Sequence, residues 1–380
     1  MMIYPRDDER AIRVQRMVDD WTASGLLQEK QRERMRLELQ VDYRRTNLFL
    51  RLTLFLFAAL IIGALVGLAF VVFDLEEATT SWQMFVFAAA AFYLAQFVIS
   101  RYRAYRHGVE EAAAVASIVF FAIGCAMFKG DFSSLLAFIG AAGASFIVFR
   151  RFGYLYAGFA AVVFAGLIPF NYDLFYTDTP RRLLAAVVLL VIFGLLRERR
   201  KDHDWDFPGD LFGMLETAAW VALYVLANFK VSEWLSIPDE VPLFYWVSYA
   251  FTWILPVVGL MLAIGDRHRW MLDANIVMAI VTLMTNKAYL NGVQKPWDPI
   301  VFGVLMIAIT LGLKRWLASG PNGSRGGFIA ERLLASERER LALAGGATAL
   351  APGAPQPHSH EPPPSFGGGR SGGAGASGKF

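Results

Sequence analysis

From Leu48 to Phe73 the chain is apolar except for Arg51 and Thr53, and nine further runs of the same character follow before residue 319. A hydrocarbon core about 30 Å thick takes about 20 apolar residues in helical form, because in lipid every backbone N–H and C=O has to be bonded within its own segment. The runs fall at 48–73, 81–100, 109–128, 132–149, 154–170, 180–196, 211–229, 243–264, 274–290 and 300–318. They predict an all-α fold, a polytopic transmembrane helical bundle of about ten helices.

Composition removes the main alternatives. With 56% hydrophobic and 18% charged residues, a water-soluble domain would expose apolar patches larger than monomers tolerate. A net charge of +3 with basic residues in short loops does not make a nucleic-acid face, so the expected partner is the lipid bilayer. Cys125, the single cysteine, excludes an internal disulfide and reads as a packing residue, since burial disfavours a thiolate. Residues 1–47 are densely charged and contain no apolar signal-peptide core.

Lys and Arg set the orientation. One set of alternate loops contains Arg101, Arg103, Arg106, Arg150, Arg151, Arg197 to Lys201, Arg267 and Arg269, eleven basic residues in all. The other set, from Asp74 to Pro299, contains five. The positive-inside rule places both termini in the cytoplasm.

Three regions follow. Residues 1–47 balance ten basic against nine acidic residues, and Ala11, Val14, Val18 and Trp21 recur at helical spacing. Ser24-Gly25 interrupts and a second charged helix follows, predicting a cytoplasmic helical hairpin with a surface for protein partners. Residues 48–318 form the membrane domain. Residues 319–380 form a cytoplasmic tail, with one amphipathic helix over 327–343 and then Pro- and Gly-rich sequence too polar to fold.

The Trp21…Gly25-Leu26 pattern on a charged hairpin ahead of many spans resembles an uncharacterised family of bacterial membrane proteins. Its members carry a short cytoplasmic helical domain of unknown function. The terminus Phe366-Gly-Gly-Gly-Arg to Gly-Lys-Phe380 is similar to the glycine-rich tails of TPM-type inner-membrane proteins, although the TPM domain itself is absent. Both resemblances imply a bacterial cytoplasmic (inner) membrane and neither implies a chemistry.

Motifs for catalysis or cofactors are missing. There is no Walker A sequence, no H-E-x-x-H and no Cys-x-x-Cys, and Gly373-Ala-Gly375-Ala-Ser-Gly378 follows no strand. Asp202-His203-Asp204-Trp205-Asp206 reads as a self-screening loop rather than a metal site. No enzyme activity, cofactor or metal is expected. Polar residues inside the spans are the remaining signal, since burying a charge in lipid costs several kcal/mol. Arg51 is placed to snorkel, and Glu110 and Glu111 to sit at headgroup level. Glu216 lies inside the seventh span, Pro256 kinks the eighth, and Thr282, Asn286 and Lys287 make the ninth polar. These five residues, Glu216, Pro256, Thr282, Asn286 and Lys287, form the candidate intramembrane polar site. The plainer reading is packing, with Glu216 paired to a neighbouring helix or headgroup and Glu216→Gln tolerated.

Three function classes meet this pattern. A scaffold or accessory membrane protein fits best. A secondary transporter with a five-plus-five inverted repeat is the alternative. An enzyme acting on lipid-linked substrates fits worst, since the outer loops hold no His and none exceeds 13 residues.

Overall fold

The computed structural model describes residues 3–44, 46–72, 80–128, 132–171, 177–203, 211–233, 242–290, 297–320, 324–325 and 328–329. Helices occupy α1 (Arg6–Ala23), α2 (Glu29–Glu38), α3 (Leu48–Val72), α4 (Thr80–Tyr102), α5 (Val109–Ala126), α6 (Ser133–Phe152), α7 (Leu155–Leu167, continued by a 3₁₀ turn, Ile168–Asn171), α8 (Asp178–His203), α9 (Leu211–Ala227), α10 (Pro242–Gly265), α11 (Arg269–Tyr289) and α12 (Asp298–Ala318). A helix therefore stands at each of the ten apolar runs. Among the described residues six helices, α3, α4, α5, α6, α8 and α10, are long and apolar enough to cross a membrane, and α7 and α9 are apolar but shorter.

Local chemistry sets the helix ends. Asn47 starts α3 by accepting the Leu50 N–H at 2.8 Å, which meets one orphan donor of the first turn. Gly25, at φ +77°, ends α1 in a Schellman turn. There the Leu26 N–H reaches the Trp21 carbonyl and the Gly25 N–H the Thr22 carbonyl, both at 2.9 Å. Gly108 has a different task. A Cβ there would lie 2.3 Å from the Arg51 carbonyl, so only glycine lets the α4–α5 loop press against the first turn of α3.

The helices pack as two groups. In the first, α4 and α5 form a close hairpin, α6 lies on α5 and α7, and α3 rests mainly on α5. Ala95, Ala113, Ala114 and Ala157 are fully buried here, and such small residues allow the close helix approach on which packing in lipid depends. Cys125 belongs to this packing: its Sγ lies against Gly140, where a Cβ would come within 2.5 Å. In the second group α9 is central and touches α7, α8, α10 and α11. The described part of α12 contacts chiefly the two-residue strands β1 (Ser324–Arg325) and β2 (Phe328–Ile329). That antiparallel pair replaces the start of the helix predicted over 327–343; the rest of that helix and the Pro/Gly-rich tail lie outside the described residues.

The N-terminal segment is seated on the first group. The Ile3 N–H donates to the Arg151 carbonyl at 2.9 Å, and the buried Tyr4 hydroxyl donates to the Ala104 carbonyl at 3.3 Å. Arg44 brackets the α4–α5 loop, donating to Arg103 and accepting from Tyr105 through the backbone. Ile12 is fully buried and shares a core with Ala95, Ile99, Phe152 and Tyr154, while Ala11, Val14 and Trp21 of the predicted stripe are half-buried. Glu9 is buried beside them and accepts the Tyr105 hydroxyl at 3.0 Å. Burial pushes its carboxyl up to about 7, against the opposing pull of Arg106 and of that hydrogen bond. No residue of α2 is buried; Asp19 of α1 holds it through Arg32 and Arg36, both at 3.0 Å. The N-terminal segment thus sits at the C-terminal ends of α4 and α6, and the Phe149–Phe212 ring contact joins that end of α6 to the start of α9 in the second group.

Candidate functional site: the polar seam of α9, α10 and α11

Four residues of α9 and its cap recur at four-residue spacing, Glu216, Trp220, Tyr224 and Asn228. On α11 and its cap His268, Asn275, Thr282 and Tyr289 recur at seven. Both spacings keep side chains on one face of a helix, and the two faces meet. The Trp220 indole donates to Asn275 Oδ1 at 3.0 Å, and Asn275 Nδ2 donates to the Met271 carbonyl at 2.6 Å. Asn275 is fully buried and lies against α10 at Gly259, where a Cβ would fall 2.0 Å from its Oδ1. One turn further, Tyr224 and Thr282 hydroxyls lie 2.8 Å apart. Asn228 Nδ2 donates to the Tyr224 hydroxyl at 3.1 Å, and Tyr289 donates to Asn228 Oδ1 at 3.3 Å.

Pro256 explains why Thr282 has to be polar. Proline has no N–H, so the carbonyl four residues earlier, that of Thr252, loses its helical partner. Thr252 is buried, and in lipid no water replaces the lost donor. The Thr282 hydroxyl fills the gap, 2.9 Å from the Thr252 carbonyl. Each hydroxyl carries one proton, and the Met278 carbonyl also lies 2.9 Å from the Thr282 hydroxyl and 3.0 Å from that of Tyr224. The order that serves the Thr252 carbonyl runs from Asn228 to Tyr224 to Thr282 to that carbonyl. Such a chain strengthens each of its members.

Glu216 closes the other end. Its Oε2 accepts Arg200 Nε at 2.6 Å, and Arg200 also donates to Asp266 at 2.9 Å. Arg197 meets Asp266 at 2.7 Å, giving two cations and two carboxylates from α8, α9 and the end of α10. The partner left unnamed by the sequence is therefore a helix, not a headgroup.

Of the five predicted residues, Thr282 sits in the seam and Pro256 is joined to it through Thr252. Asn286 accepts the Tyr249 hydroxyl from α10 at 2.5 Å. Glu216 lies at the far end in its ion pairs, and half-buried Lys287 occupies the last turn of α11, where a cation suits the helix dipole. Trp220, Tyr224, Asn228, Asn275, Tyr289, Gly259, Arg200 and Asp266 were missed. The four- and seven-residue recurrences were the available signal.

Chemically the seam is a clamp. Between the Glu216 carboxylate and the hydroxyls of Tyr224 and Thr282 stand an indole and an amide, and neither relays a proton. Among the described residues no group of three or more His, Cys, Asp or Glu is placed to hold a metal ion. Comparison with family models, with curated proteins and with solved structures returns no match to this chain.

Proposed function

We propose that this chain is a multi-pass scaffold or accessory protein of the bacterial cytoplasmic membrane, with ten spans, both termini cytoplasmic and no catalytic role. The observation that carries the reading is the seam. Glu216, Thr282 and Asn286, polar groups that would mark a transport path, are each bonded to another helix, and the Thr252 carbonyl that Pro256 leaves without a helical donor is bonded as well. The exposed α2, held on a docked α1, is the surface through which partners would bind.

A five-plus-five transporter requires halves that pack alike. Here α3 rests mainly on α5, whereas its counterpart α8 packs along α9, so the packing lends that alternative no support. Two experiments test the proposal. A periplasm-active reporter fused after Phe380 is expected to be silent and one after Pro238 active; the reverse at either site refutes the topology. Co-purification in mild detergent is expected to retain a protein partner that is lost when residues 29–38 become a Gly-Ser linker. An unchanged set of associated proteins refutes the scaffold role of α2.

A further inference from the structure

A cavity of about 270 Å³ opens where α3, α5 and α7 begin, lined by Arg51, Arg106, Glu111, Tyr154, Leu155, Tyr156 and Phe159. Its two arginines differ. Arg51 is spent on Glu111, with Nε 2.6 Å from one carboxylate oxygen and a second donor on the other; it does not snorkel freely. Arg106 forms no hydrogen bond or ion pair among the described residues. Its guanidinium carbon lies 5.7 Å from the Tyr105 ring centroid. With the Arg51–Glu111 pair neutral, Arg106 leaves the lining itself one net positive charge, and the buried Glu9 carboxyl on which it also acts lies outside that lining. Glu110, the neighbouring carboxyl, is not part of that lining and accepts the His107 N–H at 2.5 Å.

The backbone that presents Arg106 is strained. Arg106 has φ +51° and Arg103 φ +48°, ahead of Gly108 at +108°. A non-glycine residue in the left-handed region costs of order 1 kcal/mol and persists only where its surroundings impose it. Here the imposition is visible: Arg44 bonds the loop backbone on one side, and the Gly108 contact with α3 fixes it on the other. The result is a guanidinium held half-buried at the mouth of a cavity whose remaining walls, Leu155, Phe159 and two tyrosine rings, are apolar or aromatic. Beyond that mouth α3 runs on with Leu52, Leu56 and Leu60 exposed.

We propose that this cavity binds the phosphate-bearing headgroup of an anionic lipid, with Arg106 on the phosphate and the acyl chains passing over Phe159 onto α3. A guanidinium matches phosphate oxygens with two parallel donors, and basic pockets between helices at the cytoplasmic level suit such headgroups. The inference rests on the membrane placement of the chain and is independent of the scaffold role.

The test uses the full chain in neutral detergent. Bound lipid is read by native mass spectrometry after addition of phosphatidylglycerol, of phosphatidylcholine with the same acyl chains, or of glycerol 3-phosphate. Phosphatidylglycerol is expected to stay bound and phosphatidylcholine to be lost. Arg106→Gln is expected to weaken retention on the order of tenfold or more, as removal of a charge-assisted contact does. Arg101→Gln, an exposed arginine at the same end, is expected to leave it unchanged. Equal retention in Arg106→Gln, or an equal loss in Arg101→Gln, overturns the site. Glycerol 3-phosphate binding as tightly as the lipid overturns the lipid assignment in favour of a soluble phosphate ester. A second measurement needs no variant: phosphatidylglycerol, and not phosphatidylcholine, is expected to shield Arg106 of the unaltered protein from phenylglyoxal. Unshielded Arg106 refutes the proposal even if every variant fails to fold.

Discussion

Thr282→Val removes one hydroxyl and keeps the side chain's shape, and its cost should depend on a residue of another helix. Two interhelical bonds disappear, to Tyr224 at 2.8 Å and to the Thr252 carbonyl at 2.9 Å. Interhelical hydrogen bonds in membranes average about 0.6 kcal/mol, while a buried carbonyl left without a donor costs about 1–3 kcal/mol. Together they give a loss of about 1.6–3.6 kcal/mol. In a Pro256→Ala background residue 256 regains an N–H, which bonds the Thr252 carbonyl within α10. The hydroxyl's second task then vanishes, and Thr282→Val should cost only about 0.6 kcal/mol. The double-mutant cycle therefore carries a coupling of about 1–3 kcal/mol. Reversible unfolding in mixed micelles of rising dodecyl sulfate content, followed by far-UV circular dichroism, measures all four corners. Equal cost of Thr282→Val in both backgrounds would falsify the link between the proline and the hydroxyl.

Glu216→Gln should lower stability by about 1–3 kcal/mol in the same unfolding assay, because Arg200, with a side chain only 13% exposed, then keeps Asp266 alone. An unchanged or raised midpoint would restore the tolerance expected from sequence. Gly259→Ala should cost about 1–3 kcal/mol, since the new methyl displaces Asn275 from Trp220; a neutral result would mean that α10 shifts freely. Glu9 makes stability pH-dependent. Its folded carboxyl sits at about 7 against an ordinary 4.5, so the folded state binds the proton more tightly. That contribution is fully present below about pH 4.5 and is lost as pH rises through about 7, with a fall on the order of 1 kcal/mol between pH 6 and 8. Melting temperatures across that range should drop with rising pH in the native chain and stay flat in Glu9→Gln; parallel curves would rule out Glu9 as the source.

Helix positions were legible because lipid leaves few options for apolar runs, and the departures have local causes. α8 extends to His203, well past the predicted residue 196, because Arg197 and Arg200 find carboxylates on α9 and α10. α11 begins at Arg269 rather than 274, where Arg269 and Asp273 form an i,i+4 pair. The site was legible only in part. Glu216, Pro256 and Thr282 announce themselves singly as polar or helix-breaking residues in apolar sequence. Their partners do not, since Trp220 and Tyr224 count as apolar or interfacial in any hydropathy reading. Only the crossing of helices far apart in sequence reveals which carbonyl a hydroxyl serves.

The seat of Ile3 and Tyr4 sets a timetable for biogenesis. Their partners include Ala104 and Arg151, the latter about 150 residues further along the chain. At a synthesis rate of about 5–20 residues per second, that part of the seat emerges roughly 7–30 s after the segment that fills it. Throughout that interval Tyr4 and Ile12 have no finished surface to cover them. The neighbouring Asp7, Asp8, Arg10 and Arg13 keep the waiting helix soluble, and its docking has to wait until α6 is in place.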